Sequence, residues 1–350
     1  MTIDASRRRA VVGLTAAVLL AAFGGGALAE EIVNIYSLRE PGLVKPLLKA
    51  FKDKTGIRTQ LVYGQDGLIE RMAAEGTNSP ADVLLAVDIG RLVEAEVKGV
   101  SQPVTSAAVQ ATVPARYRDP AGHWIGLSQR ARVVFASRAR VKQDTITYAD
   151  LADPRWKGRV CMRSGQHTYN IGLLASIIAH EGPEKAEAWA RGVKANLARK
   201  PAGGDRDQAK AIFAGECDLA LANTYYMAAM QTNQKNPEQQ QWAASIKLLF
   251  PEAEGRGTHV NISGAVLAKF APHRANGIKL IEFLASEEGQ RLYAAEVNEY
   301  PLMAGIQPSA LVASWGQLKP DTLPFTRIAE LRKQASEIMD KVGFDAGPGT

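Results

Sequence analysis

Apolar positions along this chain fall into short runs, separated by longer stretches in which they recur every three or four residues. The runs at 33–36, 59–63, 82–87, 131–136, 159–162, 218–222 and 262–267 have the length and composition of buried strands. Residues 43–54, 68–75, 171–180, 205–213 and the tail Phe325–Val342 carry the period of amphipathic helices. Strands alternating with helices make α/β units, whose sheet is expected to be largely parallel. After about residue 30 no repeat and no low-complexity linker interrupts the pattern. A chain of 350 residues with 46% hydrophobic content buries one large core or two smaller ones, and the expectation is two lobes joined by strands rather than by a tether.

Residues 1–29 follow a different rule. Arg7, Arg8 and Arg9 precede an apolar run from Ala10 to about Phe23, and Ala27-Leu28-Ala29 supplies a small-x-small cleavage pattern. This predicts a signal peptide removed before Glu30, its apolar run being short for a membrane span. Ser6-Arg7-Arg8 leaves both the general secretory and the twin-arginine routes open. Either route puts the product beyond the cytoplasmic membrane, most simply in a bacterial periplasm.

Residues 1–29 hold three arginines and one aspartate, so the formal charge of +6 falls to +4 in the mature chain. No polybasic run or basic helix face stands out, which removes nucleic acid from the expected partners. The mild excess suits an anionic or anion-accompanied ligand. Cys161 and Cys217 are the two cysteines. In an oxidising compartment the pair reads first as a disulfide, with two separate buried thiols as the alternative, and with no CxxC or Cys/His cluster a zinc or iron–sulfur site is not indicated.

The nine tyrosines are distributed unevenly. In "LANTYYMAAM" a buried strand runs into a helix that Asn223 or Thr224 can cap, which puts Tyr225 and Tyr226 in the first helical turn. Tyr169 repeats the arrangement after the strand at 159–162. In open α/β sheets ligands bind beyond the carboxyl ends of the strands, so three phenols are expected to converge on one cleft. A free phenol has a pKa of about 10 and becomes an anion near neutrality only beside strong positive charge. A helix N-terminus supplies about 0.3–1 kcal/mol, too little for the roughly three pKa units required. A trivalent metal supplies the rest, and hard oxygen ligands favour Fe(III) over copper or zinc. The competing reading is amphipathic packing at two helix starts.

The segments "RSGQHTYNIGLLASII", "GECDLALANTYYMAAM", "GTHVNISGAVLAK" and "VNEYPL", with "VNIYSLREPGLVKPLLKAFKDKTGI" and "SPADVLLAVDIGRLVEAEVKGV" near the start, resemble the periplasmic ferric-iron-binding proteins of ABC transporters. The resemblance spans nearly all of the mature chain. It implies an α/β, two-lobed periplasmic binding protein fold of type II, in which lobes joined by crossing strands close on a cleft. It also implies Fe(III) as cargo and an inner-membrane ABC permease with its ATPase as partners, for a monomer with no enzymatic step. Tyr225 and Tyr226 are then iron ligands, and Tyr169 matches the third tyrosine of a tyrosine-rich subgroup. The expected lobes are 30–131 with 257–304, and 132–256 with 305–350.

On the other lobe the chain departs from that family. A histidine or tyrosine is usual in the loop after the first strand, where this chain has Glu40, Pro41 and Gly42; Val87, followed by Asp88, stands where many members have glutamate. Glu40 is a weaker candidate ligand, and carbonate or water is expected to complete the shell. A carbonate needs a cationic seat, for which the planar guanidinium fork suits Arg130 first and Arg39 second. Arg132 lies beside Arg130, Tyr36 reads as core or as support behind the ligands, and His167, near enough to Tyr169 to be weighed as a metal ligand, reads first as a solvated loop residue. The rival readings are a binding protein for a small organic or phosphonate anion held by arginines, and a secreted enzyme, for which no nucleophile with its base is found.

Overall fold

A computed structural model describes residues 31–64 and 66–349. The predicted signal peptide lies outside the described residues. Nine strands form one curled sheet among the described residues: β1 (Ile32–Ser37), β2 (Arg58–Tyr63), β3 (Val83–Ala86), β4 (Ser101–Gln102), β5 (Ile125–Ser137), β6 (Val160–Cys161), β7 (Leu219–Asn223), β8 (Ile246–Leu249) and β9 (Val260–Ala268). Their order is β2-β1-β3-β9-β5-β7-β6, with β4 against β9 and β8 against β5.

The sheet corrects the expectation of a largely parallel arrangement. Parallel pairs hold only the two ends, β2-β1-β3 and β6-β7. The middle is antiparallel, because β5 and β9 run alongside each other in opposite directions and each meets its other neighbours the same way. The 13-residue β5 exchanges partners midway: through Ala131 it pairs with β9, and from Arg132 with β7. Every residue of β5 is buried, and apart from the terminal Ser137 its polar ones, Ser128, Gln129, Arg130 and Arg132, fall at this exchange. The sequence pattern found only the apolar half, 131–136, because the first half mixes charges into a buried strand.

Helices frame the sheet where the periodicity predicts them. In α1 (Pro41–Thr55) the apolar set Val44, Leu47, Leu48 and Phe51 repeats at helical spacing and is buried; Pro41 fits the first turn and Gly56, at φ 74°, ends the helix in a left-handed turn. The next two are α2 (Leu68–Glu75) and α3 (Ile89–Val97). The Asp88 side chain caps α3, accepting from Gly90 N at 2.8 Å. Further along lie α4 (Thr168–Glu181), α5 (Asp205–Ala214), α6 (Thr224–Gln231) and α7 (Phe325–Val342), the predicted tail helix. Arg332 of α7 donates to Asp88 Oδ1 at 3.0 Å and to Thr168 Oγ1 at 2.8 Å, tying the start of α3 to the start of α4. Cys161 and Cys217 form a disulfide at the entrances to α4 and β7, closing a 56-residue separation. None of the described helices is long and apolar enough to cross a membrane.

Candidate metal centre

β6 and β7 are parallel neighbours, so the helices that follow them, α4 and α6, present their N-termini side by side. That geometry brings the three predicted phenols together. Tyr169 Oη lies 3.0 Å from Tyr225 Oη, and the Tyr225 and Tyr226 rings stack at 4.3 Å. All three are buried, in a small cluster capped by Leu43 and Val87. They form one wall of a cleft of about 270 Å³, whose other residues include Arg39, Glu40, Tyr63, Arg91, Arg163 and His167.

A buried carboxylate holds this wall in place. Asp205, at the first position of α5, accepts from Arg132 Nη1 at 2.7 Å, Arg163 Nη1 at 3.1 Å and Asn223 N at 2.8 Å. Arg132 also donates to Asn170 Oδ1 at 2.8 Å. One residue beyond Asn170 and Asn223 in either direction stand Tyr169 and Thr224, so a single acid sets both helix starts. The guanidinium groups of Arg130, Arg132 and Arg163 lie 5.2–5.7 Å from the centre of the Tyr169 ring.

Electrostatics make the phenols reluctant acids on their own. Burial first, and the neighbouring phenols next, push the Tyr225 and Tyr226 hydroxyls above the ordinary phenol range. Both therefore hold their protons at neutral pH until a cation enters. His167 is not the solvated residue the sequence suggested. It is the half-buried N-cap of α4, its Nδ1 accepting from Tyr169 N at 3.3 Å with its ring edge-on to Tyr169 at 4.5 Å. Burial, with Arg163 beside it, drives its pKa down to about 3, so the ring is neutral and its outer Nε2 carries the proton.

The opposite wall is charged rather than phenolic. Arg39 lines the cleft but is anchored beneath it: Nη2 donates to Glu299 Oε1 at 2.6 Å and to Ser263 Oγ, while Nη1 is buried without a partner. Burial opposes its charge, yet Glu299 and the nearby phenols outweigh burial and hold the guanidinium above its ordinary range. Glu40 faces Arg206 at 3.3 Å, and Arg206 lies 4.9 Å over the Tyr226 ring, so this carboxylate spans the cleft to the phenol wall. Arg130 does not line the cleft. It sits behind Tyr169, donating to the Val87 carbonyl and facing Asp88 at 3.5 Å. Tyr36 also stays out; its hydroxyl donates to Glu75 at 3.0 Å, under Arg71.

Sequence reasoning missed Asp205, Glu299, Arg163, Arg206 and Tyr63. Asp205 carried a signal, an acid at a predicted helix start after two glycines; Glu299 carried none, since its partner lies 260 residues away.

The family of bacterial extracellular solute-binding proteins matches residues 78–317. Iron uptake protein A1 of Synechocystis sp. is 43% identical over 317 residues, covering 90% of this chain and 88% of that protein. Among solved structures, the Bordetella ferric binding protein is 52% identical with a TM-score of 0.81, covering 90% of this chain and 100% of that one. The apo ferric ion-binding protein A of Pasteurella haemolytica is 46% identical with a TM-score of 0.86, covering 90% and 98%. With β5 and β9 crossing at the centre of the sheet, this likeness identifies the architecture as the two-lobed type II binding-protein fold. The chain belongs to the bacterial extracellular solute-binding proteins.

Proposed function

We propose that this protein captures ferric iron in the periplasm and delivers it to an ABC permease and its ATPase, acting as a monomer without an enzymatic step. The observation that carries the reading is the convergence of three buried phenols at two adjacent helix N-termini, with Tyr169 and Tyr225 oxygens 3.0 Å apart. Hard oxygen donors that ionise only beside strong positive charge select a trivalent cation. The names of the relatives, an iron uptake protein and ferric-binding proteins, point the same way.

In this reading Tyr169, Tyr225 and Tyr226 supply phenolates. Carbonate or water completes the shell, and Arg39 seats the anion through its unpartnered Nη1, with Arg130 lending charge from behind Tyr169. Glu40 is the weaker ligand candidate, being paired with Arg206. The lobes are 30–131 with 257–304 and 132–256 with 305–350, a division supported by the exchange of β5 partners between Ala131 and Arg132. Residues 1–29 act as the export signal. Closure of the lobes excludes water and strengthens each phenolate contact, and opening at the permease releases the ion.

A visible spectrum recorded during titration with ferric citrate tests the reading. A charge-transfer band that saturates near one iron per protein, and that shifts or disappears in Tyr225→Phe and Tyr226→Phe, is the expected result. A colourless protein with unaltered mutants overturns it.

A further inference from the structure

Behind the Tyr169 ring, at the point where β5 exchanges partners, lies a second and much smaller chamber of about 10 Å³, room for one water-sized occupant. Its walls are Asp88, Arg130, Arg132, Asn223, His259 and Asn261, with Tyr169 closing the side toward the cleft. All six are more than nine-tenths buried. Four of their polar atoms have no protein partner: Arg130 Nη1, Arg132 Nε, Asn223 Nδ2 and His259 Nδ1.

The chemistry of these atoms selects the occupant. Arg130 Nη1, Arg132 Nε and Asn223 Nδ2 are donors only. The Asn223 amide is oriented by its own oxygen, which accepts from Arg132 Nη1 at 3.2 Å. The nearby carboxylate is already engaged: Asp88 Oδ1 accepts from Gly90 N and Arg332, and Oδ2 accepts from Asn261 Nδ2 at 2.9 Å while facing Arg130. A water placed here offers two protons and meets almost no free acceptor. An anion accepts from every donor.

Charge points the same way. The buried Arg130 and Arg132 and the partly exposed Arg163 and Arg332 share only two carboxylates, Asp88 and Asp205. Burial first, then Arg130 and Arg132, hold His259 neutral, with its pKa down to about 3, so it adds no further charge and can turn an N–H inward. Because Asp88 and Asp205 are each shared with a second guanidinium, the surroundings of the chamber carry an excess of positive charge that favours an anion over a water.

We propose that this chamber binds one small monovalent anion of the halide class, held by Arg130, Arg132, Asn223 and His259, at the crossing of the strands that join the two lobes. It is separate from any anion that accompanies the cargo, since Tyr169 stands between them. The anion bridges β5, β7 and β9 and bears on Asp88, so it stabilises the region about which the lobes move.

The test uses iron-free protein, which separates it from the iron reading. Purified protein exchanged into gluconate is titrated with chloride and with bromide at constant ionic strength, and crystals grown with bromide are measured at its absorption edge. The expected results are an anomalous peak in the chamber and a melting temperature that rises with the logarithm of halide concentration, by about 4 °C at a hundredfold excess over the apparent Kd. Asn223→Asp is isosteric, keeps the acceptor for Arg132 and replaces the inward amide nitrogen with a carboxylate oxygen; it is expected to abolish both the peak and the shift. A chamber without anomalous signal in the wild-type protein overturns the proposal whether or not the variant folds. An unchanged halide response in Asn223→Asp means an adventitious ion only and overturns it as well.

Discussion

On one side of the cleft, Tyr169, Tyr225 and Tyr226 ride on two helices whose strands are hydrogen-bonded neighbours, stapled by a disulfide and set by one buried acid. On the other, Arg39 and Glu40 sit on the loop between β1 and α1 and owe their positions to Glu299 and Arg206, far away in sequence. The first wall is rigid and chemically uniform. The second is a pair of opposite charges, one locked from below and one reaching across. A ligand held by such a site belongs mainly to the first wall, and the second responds to it.

Proton release separates the walls most strongly. Tyr225 and Tyr226 are pushed above the ordinary phenol range by burial, so in the iron-free protein both are protonated at pH 7 and each sheds a proton when it becomes a ligand. Binding therefore weakens as pH falls, with each such phenol adding about one to the slope of log K against pH. Lowering the pH from about 7.5 to about 5.5 is expected to weaken binding by about 10⁴-fold through Tyr225 and Tyr226 alone, at constant free ferric ion, and by more when Tyr169 also binds as phenolate. A flat profile measured with a ferric buffer would remove the phenolates from the site.

A paired substitution compares tyrosines across the molecule. Tyr225→Phe removes a ligand and is expected to cost about 10³-fold in iron affinity, more than the 10–100-fold typical of an outer partner. Tyr36→Phe removes a buried hydroxyl that serves Glu75 and not the cleft, and affinity should stay within about twofold of wild type. Competition with a chelator measures both, and equal losses would mean that the tyrosine wall acts only through the fold.

Arg39→Met tests the lock beneath the charged wall. It leaves the fully buried Glu299 carboxylate without its cation, a change expected to cost about 3 kcal/mol of stability in chemical denaturation. Adding Glu299→Gln should restore most of that loss, because a neutral amide can still meet Ser128 and Ser263. The iron band should survive in the double variant and become indifferent to carbonate, since the cationic seat is gone.

The contrast between the walls also explains what was readable in advance. The tyrosine wall is local: a strand, a cap and a phenol within a few residues, twice over, so "LANTYYMAAM" and "QHTYNIG" announced it. Parallel neighbouring strands then did the rest. The charged wall is non-local, and nothing near Arg39 indicates that Glu299 neutralises it or that Ser263 accepts from it. In the sequence Arg130 reads as the first choice of anion seat and Arg39 as the second, yet β5 carries Arg130 inward at the exchange of partners while the β1–α1 loop leaves Arg39 at the cleft. The antiparallel centre of the sheet was hidden for a related reason. Pattern reveals that 262–267 is a strand, but its direction depends on where the chain crosses, and the charged first half of β5 does not read as strand at all.

Glu40 provides the finest test, because both walls claim it. Its carboxylate lies 3.3 Å from Arg206 and is 45% exposed, so as an ion pair it is worth at most about 1 kcal/mol and is screened by salt. Glu40→Gln keeps the size and removes the charge. If the carboxylate is only a clasp across the cleft, the charge-transfer band stays where it is and iron leaves at most about fivefold faster, a difference that fades in high salt. If Glu40 is a ligand, the band shifts, affinity falls by about 10²-fold, and salt does not mask the loss. The clasp is the expected result, since Arg206 already holds both carboxylate oxygens and itself lies over Tyr226. The charged wall then follows closure of the cleft through Arg206 rather than by touching the metal.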